Sequence, residues 1–174
     1  LEGEFHTMSQ RFYRGILALL SPFFLLPLLG VVGCRPTREA SIVYEKVPNA
    51  NWKRGQQLSF RFLVTEAHRP YYFDLLIRHN NNVEYCDFEV LATLSNGAFY
   101  ERRDTLHLLL SEQEGLWRGT GVALTELSFP YLQGGRLPTS GIYTLTLEPC
   151  SLRPSIRGIE NVGVAFCSSA GVSW

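Results

Sequence analysis

Apolar and polar residues alternate along most of the chain after residue 41, as in strands with one face in a core and the other in water. The clearest runs are Leu58–Thr65, Phe73–Arg78, Cys86–Leu94, Leu106–Leu110 and Ile142–Leu147. Leu63 is an exception in the first run, and Ile142 falls among the polar positions of the last. No stretch of this part keeps helical periodicity for three turns. Seven or eight short strands predict an all-β fold, an antiparallel sandwich that is jelly-roll-like or immunoglobulin-like.

Asn, Gly and charged residues separate these runs. Asn80–Asn82 and Asn96–Gly97 predict turns, because both residue types adopt left-handed backbone. The charged stretch Glu101–Asp104 is interpreted as a loop, and so is Gly134–Gly135. Three glycines around Trp117 predict a bend in which backbone and indole pack closely.

The N-terminal part of the chain has a different pattern. Two arginines precede residues 15–32, which contain no charged residue, as in a secretory signal peptide. The run leads into Val-Val-Gly-Cys at residues 31–34, the pattern of a bacterial lipoprotein signal, which predicts acylation of Cys34. An uncleaved membrane anchor is the alternative, because about 18 apolar residues can just span a bilayer. Two prolines within the run disfavour it, since proline costs helix stability.

These patterns divide the chain into five parts. Met8 is the only methionine and is interpreted as the start. The predicted parts are an upstream extension or scar (1–7), a lipoprotein signal peptide (8–33), a tether (34–41), a β-sandwich domain (42–166) and a tail (167–174).

Charge excludes one class of partner. The chain has 16 Lys+Arg and 16 Asp+Glu; removing two of each with residues 1–33 leaves 14 against 14. A neutral domain without a basic stripe argues against a nucleic-acid surface. Attachment to a membrane would therefore depend on lipid at Cys34 and not on charge.

Three cysteines remain in the predicted domain and tail: Cys86, Cys150 and Cys167. An exported chain allows one disulfide among them, with three pairings open. In the alternative interpretation Cys86 is a small buried residue and Cys167 a loose tail residue.

The sequence contains no motif for catalysis or metal binding. His68, His79 and His107 do not stand at ligand spacing, and there is no nucleophile elbow or P-loop. The acidic residues that would form a glycosidase pair suit a solvated face instead; they are Asp74, Asp87, Glu89 and Asp104. We therefore expect no enzyme activity, no cofactor, no metal and no small-molecule substrate.

Aromatic residues leave two hypotheses. Sugar rings stack on exposed aromatic side chains, whereas large aromatics also fill sandwich cores. The candidate exposed aromatics are Tyr71–Tyr72, Phe99–Tyr100, Trp117 and Phe129–Tyr131. Of these, Trp117, Phe129 and Tyr131 are the candidate contact surface, the last two in a loop-like stretch. The predicted core consists of Phe60, Phe62, Leu75, Phe88, Val90, Tyr143 and Leu145.

Several stretches, in order, resemble the GldH family of gliding-motility lipoproteins. They cover nearly all of residues 42–166 and follow a lipoprotein signal. They are Tyr44–Asn49 with Trp52, Tyr72–Arg78 followed by Tyr85, Gly115–Gly119, Ser140–Tyr143, and Leu152–Arg153 leading to Ile156–Ile159 and Val162–Gly163.

The resemblance implies a Bacteroidota envelope lipoprotein of gliding motility and the linked type IX secretion apparatus, with no catalytic residue. The tether after Cys34 lacks the acidic run that tends to send such lipoproteins to the cell surface, which favours the outer membrane, facing the periplasm. We predict a non-catalytic protein, anchored by palmitate-type chains, that acts by contacts with other gliding and secretion proteins. The alternative is a glycan-binding β-sandwich lipoprotein.

Overall fold

Strands make up nearly all of the regular structure. A computed structural model describes residues 41–97, 99–113 and 117–168; Cys34, the predicted signal peptide and most of the predicted tail lie outside these ranges. One 3-10 turn, Pro48–Ala50, interrupts the strands. Within the described residues, no helix has the length and apolar character needed to cross a bilayer. The strands are β1 Ser41–Lys46, β2 Asn51–Lys53, β3 Leu58–Val64, β4 Pro70–His79, β5 Asp87–Ser95, β6 Glu101–Leu109, β7 Thr125–Arg136, β8 Gly141–Pro149, β9 Ser155–Arg157 and β10 Ile159–Cys167.

The strands pair in jelly-roll order. With the short pair β2–β9 set aside, pairing proceeds inward from the chain ends: β1 with β10, β3 with β8, β4 with β7 and β5 with β6, all antiparallel. β4 also pairs with β10, and β5 with β8, which gives two four-stranded sheets, β1-β10-β4-β7 and β3-β8-β5-β6. The predicted all-β sandwich is confirmed, in its jelly-roll form.

The core lies between the two sheets and is filled from the inward side of each strand. β3 alternates strictly between buried and exposed residues, because successive side chains point to opposite faces. Aromatic rings join the sheets: Phe62 of β3 lies edge-on to Phe73 of β4, with ring centroids 5.3 Å apart. The predicted core is confirmed, since all seven of its residues are buried in one cluster: Phe60, Phe62, Leu75, Phe88, Val90, Tyr143 and Leu145.

β7 is longer than the sequence pattern predicts. Phe129–Tyr131 and Gly134–Gly135, which that pattern assigns to loops, lie within this strand. The register with β4 shifts twice, and Tyr131 and Gly134 are the residues without an opposite partner. Gly134 has a φ of 71°, the left-handed backbone that glycine adopts in a bulge. The loop prediction is wrong here because a bulge uses the same residue type as a turn.

The charged stretch Glu101–Asp104 is also part of a strand. It forms the first four residues of β6 and pairs with the end of β5. β6 is the edge strand of its sheet, and charged side chains on an edge hinder pairing with other chains. The loop prediction is wrong because these charges mark an edge strand.

The predicted asparagine turns are confirmed. Asn80 Oδ1 accepts a hydrogen bond from the backbone N–H of Asn82 at 2.8 Å in the turn after β4. Gly97 has a φ of 84° in the hairpin between β5 and β6. The first turn is thus stabilised by an asparagine side chain, and the second uses the left-handed backbone that glycine allows.

The cysteines differ in burial. Cys167 is the last residue of β10 and is buried, so its interpretation as a loose tail residue is wrong: the apolar inward row continues one residue beyond the predicted domain boundary. Cys86 and Cys150 are partly buried and form no disulfide in the described part of the chain.

The sandwich has two ends with different loops. We call the end at which β1 begins the proximal end; its loops are residues 65–69, 96–100 and 137–140. The distal end has the loops 80–86, 110–124 and 150–154. Asn96 Nδ2 donates to Thr139 Oγ1 at 2.6 Å, and His68 N donates to Leu137 O at 2.8 Å. These bonds join the three proximal loops into one surface.

Candidate functional site

A groove runs along the flank of the sandwich that edge strands β6 and β7 form. Its volume is about 430 Å³, and its lining comes from Leu109 of β6, residues 118–120, and residues 126–130 of β7. β7 is the last strand of its sheet. The backbone N–H and C=O groups of every second residue of β7 therefore point away from β4, toward the groove.

One wall of the groove is the backbone of residues 118–120, which is fixed to β7. Thr120 and Glu126 exchange two backbone hydrogen bonds, of 3.1 and 2.8 Å. Gly119 has a φ of 100°, and a Cβ at this position would overlap the carbonyl oxygen of Glu126. Only glycine combines this backbone conformation with so close an approach. The glycine-rich bend that the sequence predicts is therefore a close contact with the edge of β7.

Trp117 begins this wall and packs against a buried histidine. Its indole lies edge-on to the imidazole of His79, with ring centroids 5.2 Å apart. His79 is fully buried, and its Nδ1 lies 3.1 Å from the carbonyl oxygen of Asn80. Burial lowers the pKa of the His79 imidazole, which keeps the ring neutral at pH 7. In the described ranges, no three His, Cys, Asp or Glu side chains converge as metal ligands.

Tyr131 ties the two edge strands together. Its hydroxyl donates to Asp104 Oδ2 on β6 at 3.1 Å, and Arg102 donates to both oxygens of the same carboxylate. Burial raises the pKa of the Tyr131 phenol, and the Asp104 carboxylate raises it further. The Arg102 guanidinium lowers the pKa of Asp104. Tyr131 thus closes the flank beside the groove.

A second polar cluster ties β7 to β1 and β4. The Tyr44 hydroxyl donates to Glu126 Oε2 at 2.9 Å, and Arg78 donates to the same oxygen while its guanidinium lies 3.9 Å from the centre of the Tyr44 ring. Burial and the bond to Glu126 raise the pKa of Tyr44 to about 12. The ring crosses β10 above Gly163, where a Cβ would overlap it. Glu126, which lines the groove, is therefore fixed by contacts with two other strands.

The structure brings the three residues of the predicted contact surface to one flank, but none of them is fully exposed. Trp117, Phe129 and Tyr131 are all partly buried against the core. Phe129 lines the groove, whereas the other two pack behind it and beside it. Their contact role stays a prediction. Of the aromatic side chains in the described residues, only Phe99 is exposed, and it lies at the proximal end.

Sequence reasoning did not bring together the residues of a second surface, at that proximal end. Leu63, Ile142 and Phe99 are 63%, 53% and 85% exposed. Two of them leave a signal in the sequence, because Leu63 breaks the alternation of its strand and Ile142 occupies a polar position. Phe99 is among the candidate exposed aromatics, but an aromatic residue after a hairpin turn is as compatible with a core as with a surface.

Comparison with known proteins identifies one family. The family model described as GldH lipoprotein matches residues 41–166. No curated protein matches the chain. The Yersinia pseudotuberculosis-derived mitogen is similar in structure, with 7% identity and a TM-score of 0.32 over 78% of this chain and 92% of the mitogen. The structure of TmCBM61 in complex with β-1,4-galactotriose is similar with 10% identity and a TM-score of 0.24, over 74% of this chain and 84% of that one.

Proposed function

The chain belongs to the GldH lipoprotein family, and from this premise we propose that it is a non-catalytic, lipid-anchored envelope protein. In this proposal it acts through protein contacts in the gliding-motility and type IX secretion machinery. Membership of a family of gliding lipoproteins supports the envelope location and the membrane anchor. Three finer points belong to the proposal: the lipid on Cys34, the face of the membrane, and the groove as the contact site.

The lipid belongs on Cys34 in this proposal, because Val-Val-Gly-Cys is the pattern that lipoprotein processing enzymes use. Each buried methylene contributes roughly 0.8 kcal/mol and one chain anchors only marginally, so two or three palmitate-type chains are needed for a durable anchor. Metabolic labelling with an alkyne fatty acid should mark the wild type and not Cys34→Ala. Equal labelling of both proteins contradicts the assignment. The proposed location is the periplasmic face of the outer membrane, since the tether lacks an acidic run.

The groove on the β6–β7 flank carries the proposed contact role. An open strand edge offers directional backbone hydrogen bonds to an extended segment of another protein. Phe129, which lines the groove and is only partly buried, supplies apolar surface beside this edge. Pro130 has no N–H and limits the length over which a segment can pair. Glu126 is already paired with Thr120, so we propose that a short extended segment of an envelope protein pairs with β7 at Ser128.

Filling the groove tests this proposal. Ser128 is exposed and lines the groove, so Ser128→Arg obstructs the edge without removing a buried contact. In a strain that lacks the chromosomal copy, this variant should restore neither spreading nor type IX export. Crosslinking of whole cells should also no longer recover machinery proteins with it.

Ser59→Arg is the matched control. Ser59 is an exposed serine on β3, which is the edge strand of the other sheet, and this variant should restore spreading and export fully. Full restoration of spreading and export by Ser128→Arg would rule out the groove as the contact site. Normal spreading and export in the deletion strain itself would contradict the function as a whole.

A further inference from the structure

The exposed apolar side chains of the proximal end form one surface. Leu63 of β3 lies directly opposite Ile142 of β8 in the antiparallel register, and both point away from the core. The hairpin that carries Phe99 is held beside them, because Asn96 at its start bonds to Thr139 in the loop before β8. Exposed apolar side chains that come together in this way mark a contact site.

The described chain begins at this same end. Ser41 lies opposite Phe166, and the Phe166 ring is 5.1 Å from the ring of Phe62, the residue next to Leu63. Ile42, the second residue of β1, is also exposed. The apolar surface therefore lies at the same end of the sandwich as the point at which the tether reaches the domain.

The length of the tether limits where the membrane can lie. Six residues separate Cys34 from Ser41, so at about 3.5 Å per residue Ser41 stays within about 25 Å of an acylated Cys34. Ser41 lies opposite Phe166, which lies opposite Phe73, six residues along β4 from its distal end at His79. Ser41 is thus about 20 Å from the distal end of the strands, before the distal loops are added. A domain standing on its distal loops would therefore need an almost fully extended tether. The short tether therefore favours the proximal end as the membrane-facing end.

We propose that the proximal end rests on the membrane, with Leu63, Phe99 and Ile142 inserted among the lipid headgroups and upper acyl chains. This inference rests on the proposed lipidation of Cys34, which supplies the bilayer as the occupant. Interfacial apolar side chains bind a bilayer by the area that they bury. Arg61 and Arg136, both exposed at this end, can extend to headgroup phosphates. The arrangement leaves the β6–β7 groove clear of the bilayer surface.

Two exposed apolar residues of the distal end provide controls. Leu152 is 93% exposed and Val122 is 97% exposed, in loops at the end away from Ser41. They match Phe99 in exposure and apolar character. They differ from it in position, which is the property that the inference concerns.

Fluorescence quenching by lipid tests the orientation. Acylated Phe99→Trp and Leu152→Trp proteins are reconstituted in vesicles of phosphatidylethanolamine and phosphatidylglycerol that carry bromine on their acyl chains. Emission of the parent protein, which has its own tryptophans, is subtracted. We expect the signal from position 99 to be quenched several-fold more than the signal from position 152. Equal quenching, or none at either position, overturns the inference.

Flotation of the same vesicles separates this inference from the lipid anchor. Protein that floats without quenching at position 99 keeps its anchor and refutes the orientation. Acylation-competent protein that does not float refutes the anchor, and the orientation with it.

Hydrogen exchange on the unsubstituted protein gives a second readout that needs no new tryptophan. Amides of loop 96–100 should exchange several-fold more slowly in the vesicle-bound acylated protein than in Cys34→Ala, while loop 150–154 should not change. Equal protection of loop 96–100 in both proteins would mean that another part of the protein covers this surface, which overturns the inference.

Discussion

The proximal end and the β6–β7 flank both place apolar residues near the surface, but those of the proximal end are exposed and those of the flank are partly buried. Leu63 and Phe99 project into solvent at the proximal end, above a cluster of packed rings. On the flank, Trp117 and Tyr131 are partly buried and fixed by contacts with His79 and Asp104. What the flank leaves open is a strand edge with polar backbone groups.

This difference indicates two kinds of contact. Apolar side chains without directional polar groups suit a fluid phase such as lipid, where no register has to be met. A strand edge requires a partner that presents complementary hydrogen bonds in register. We interpret the proximal end as the surface for the membrane and the flank as the surface for a protein.

The largest expected effect is a difference in the free energy of unfolding between two phenylalanine variants. Phe73 is fully buried and its ring contacts those of Phe62 and Tyr131, so Phe73→Ala should cost about 3 to 5 kcal/mol of unfolding free energy. Phe99→Ala should cost less than about 0.5 kcal/mol, because this side chain stands in water. Urea unfolding measures both. Similar losses for the two variants would mean that Phe99 is packed in solution, and the proximal surface would not be available to lipid.

The next largest effect is a difference in stability loss between alanine variants of two glycines with positive φ. Gly119→Ala brings a Cβ into the backbone of Glu126, so it should cost about 2 to 4 kcal/mol from left-handed backbone and overlap together. Gly97→Ala, at the proximal end, meets no atom within 4 Å and should cost only about 1 kcal/mol from the backbone. Thermal unfolding compares them. A smaller loss for Gly119→Ala would show that the wall of the groove is not held against β7.

The smallest effect is a dependence on pH that concerns the flank alone. Arg102 holds the pKa of Asp104 below its ordinary range, so the stability that this carboxylate contributes is present above about pH 4 and is lost as pH falls through the folded-state pKa. The wild type should therefore lose more stability than Asp104→Asn between about pH 5 and pH 2. Phe99→Ala should follow the wild-type curve. Parallel curves for wild type and Asp104→Asn would contradict the electrostatic closure of the flank.

The sequence predicts the sheets and core well, because a period of two reports directly which face of a strand is buried. It fails where one residue type has two structural uses. Gly134–Gly135 fits a loop and a bulge equally well, and Glu101–Asp104 fits a loop and an edge strand. Only the pairing partners on β4 and β5 decide between these uses.

The candidate surfaces are less accessible to sequence reasoning, because they depend on residues far apart in the chain. Tyr44 meets Glu126 across 82 positions, and Leu63 meets Ile142 only through the register of β3 and β8. A local pattern identifies Trp117, Phe129 and Tyr131 as a group, yet it does not show that their rings face the core. Family resemblance and the lipoprotein signal carry the functional prediction instead.

Site-specific photo-crosslinking in living cells tests the two-surface account most directly. A photoreactive amino acid is placed at position 128, in the groove, or at position 99, at the proximal end, of the otherwise unchanged lipoprotein. We expect position 128 to crosslink to an envelope protein whose deletion stops spreading or type IX export, and position 99 to crosslink to lipid. Capture of that same protein from position 99, with none from position 128, would contradict the account.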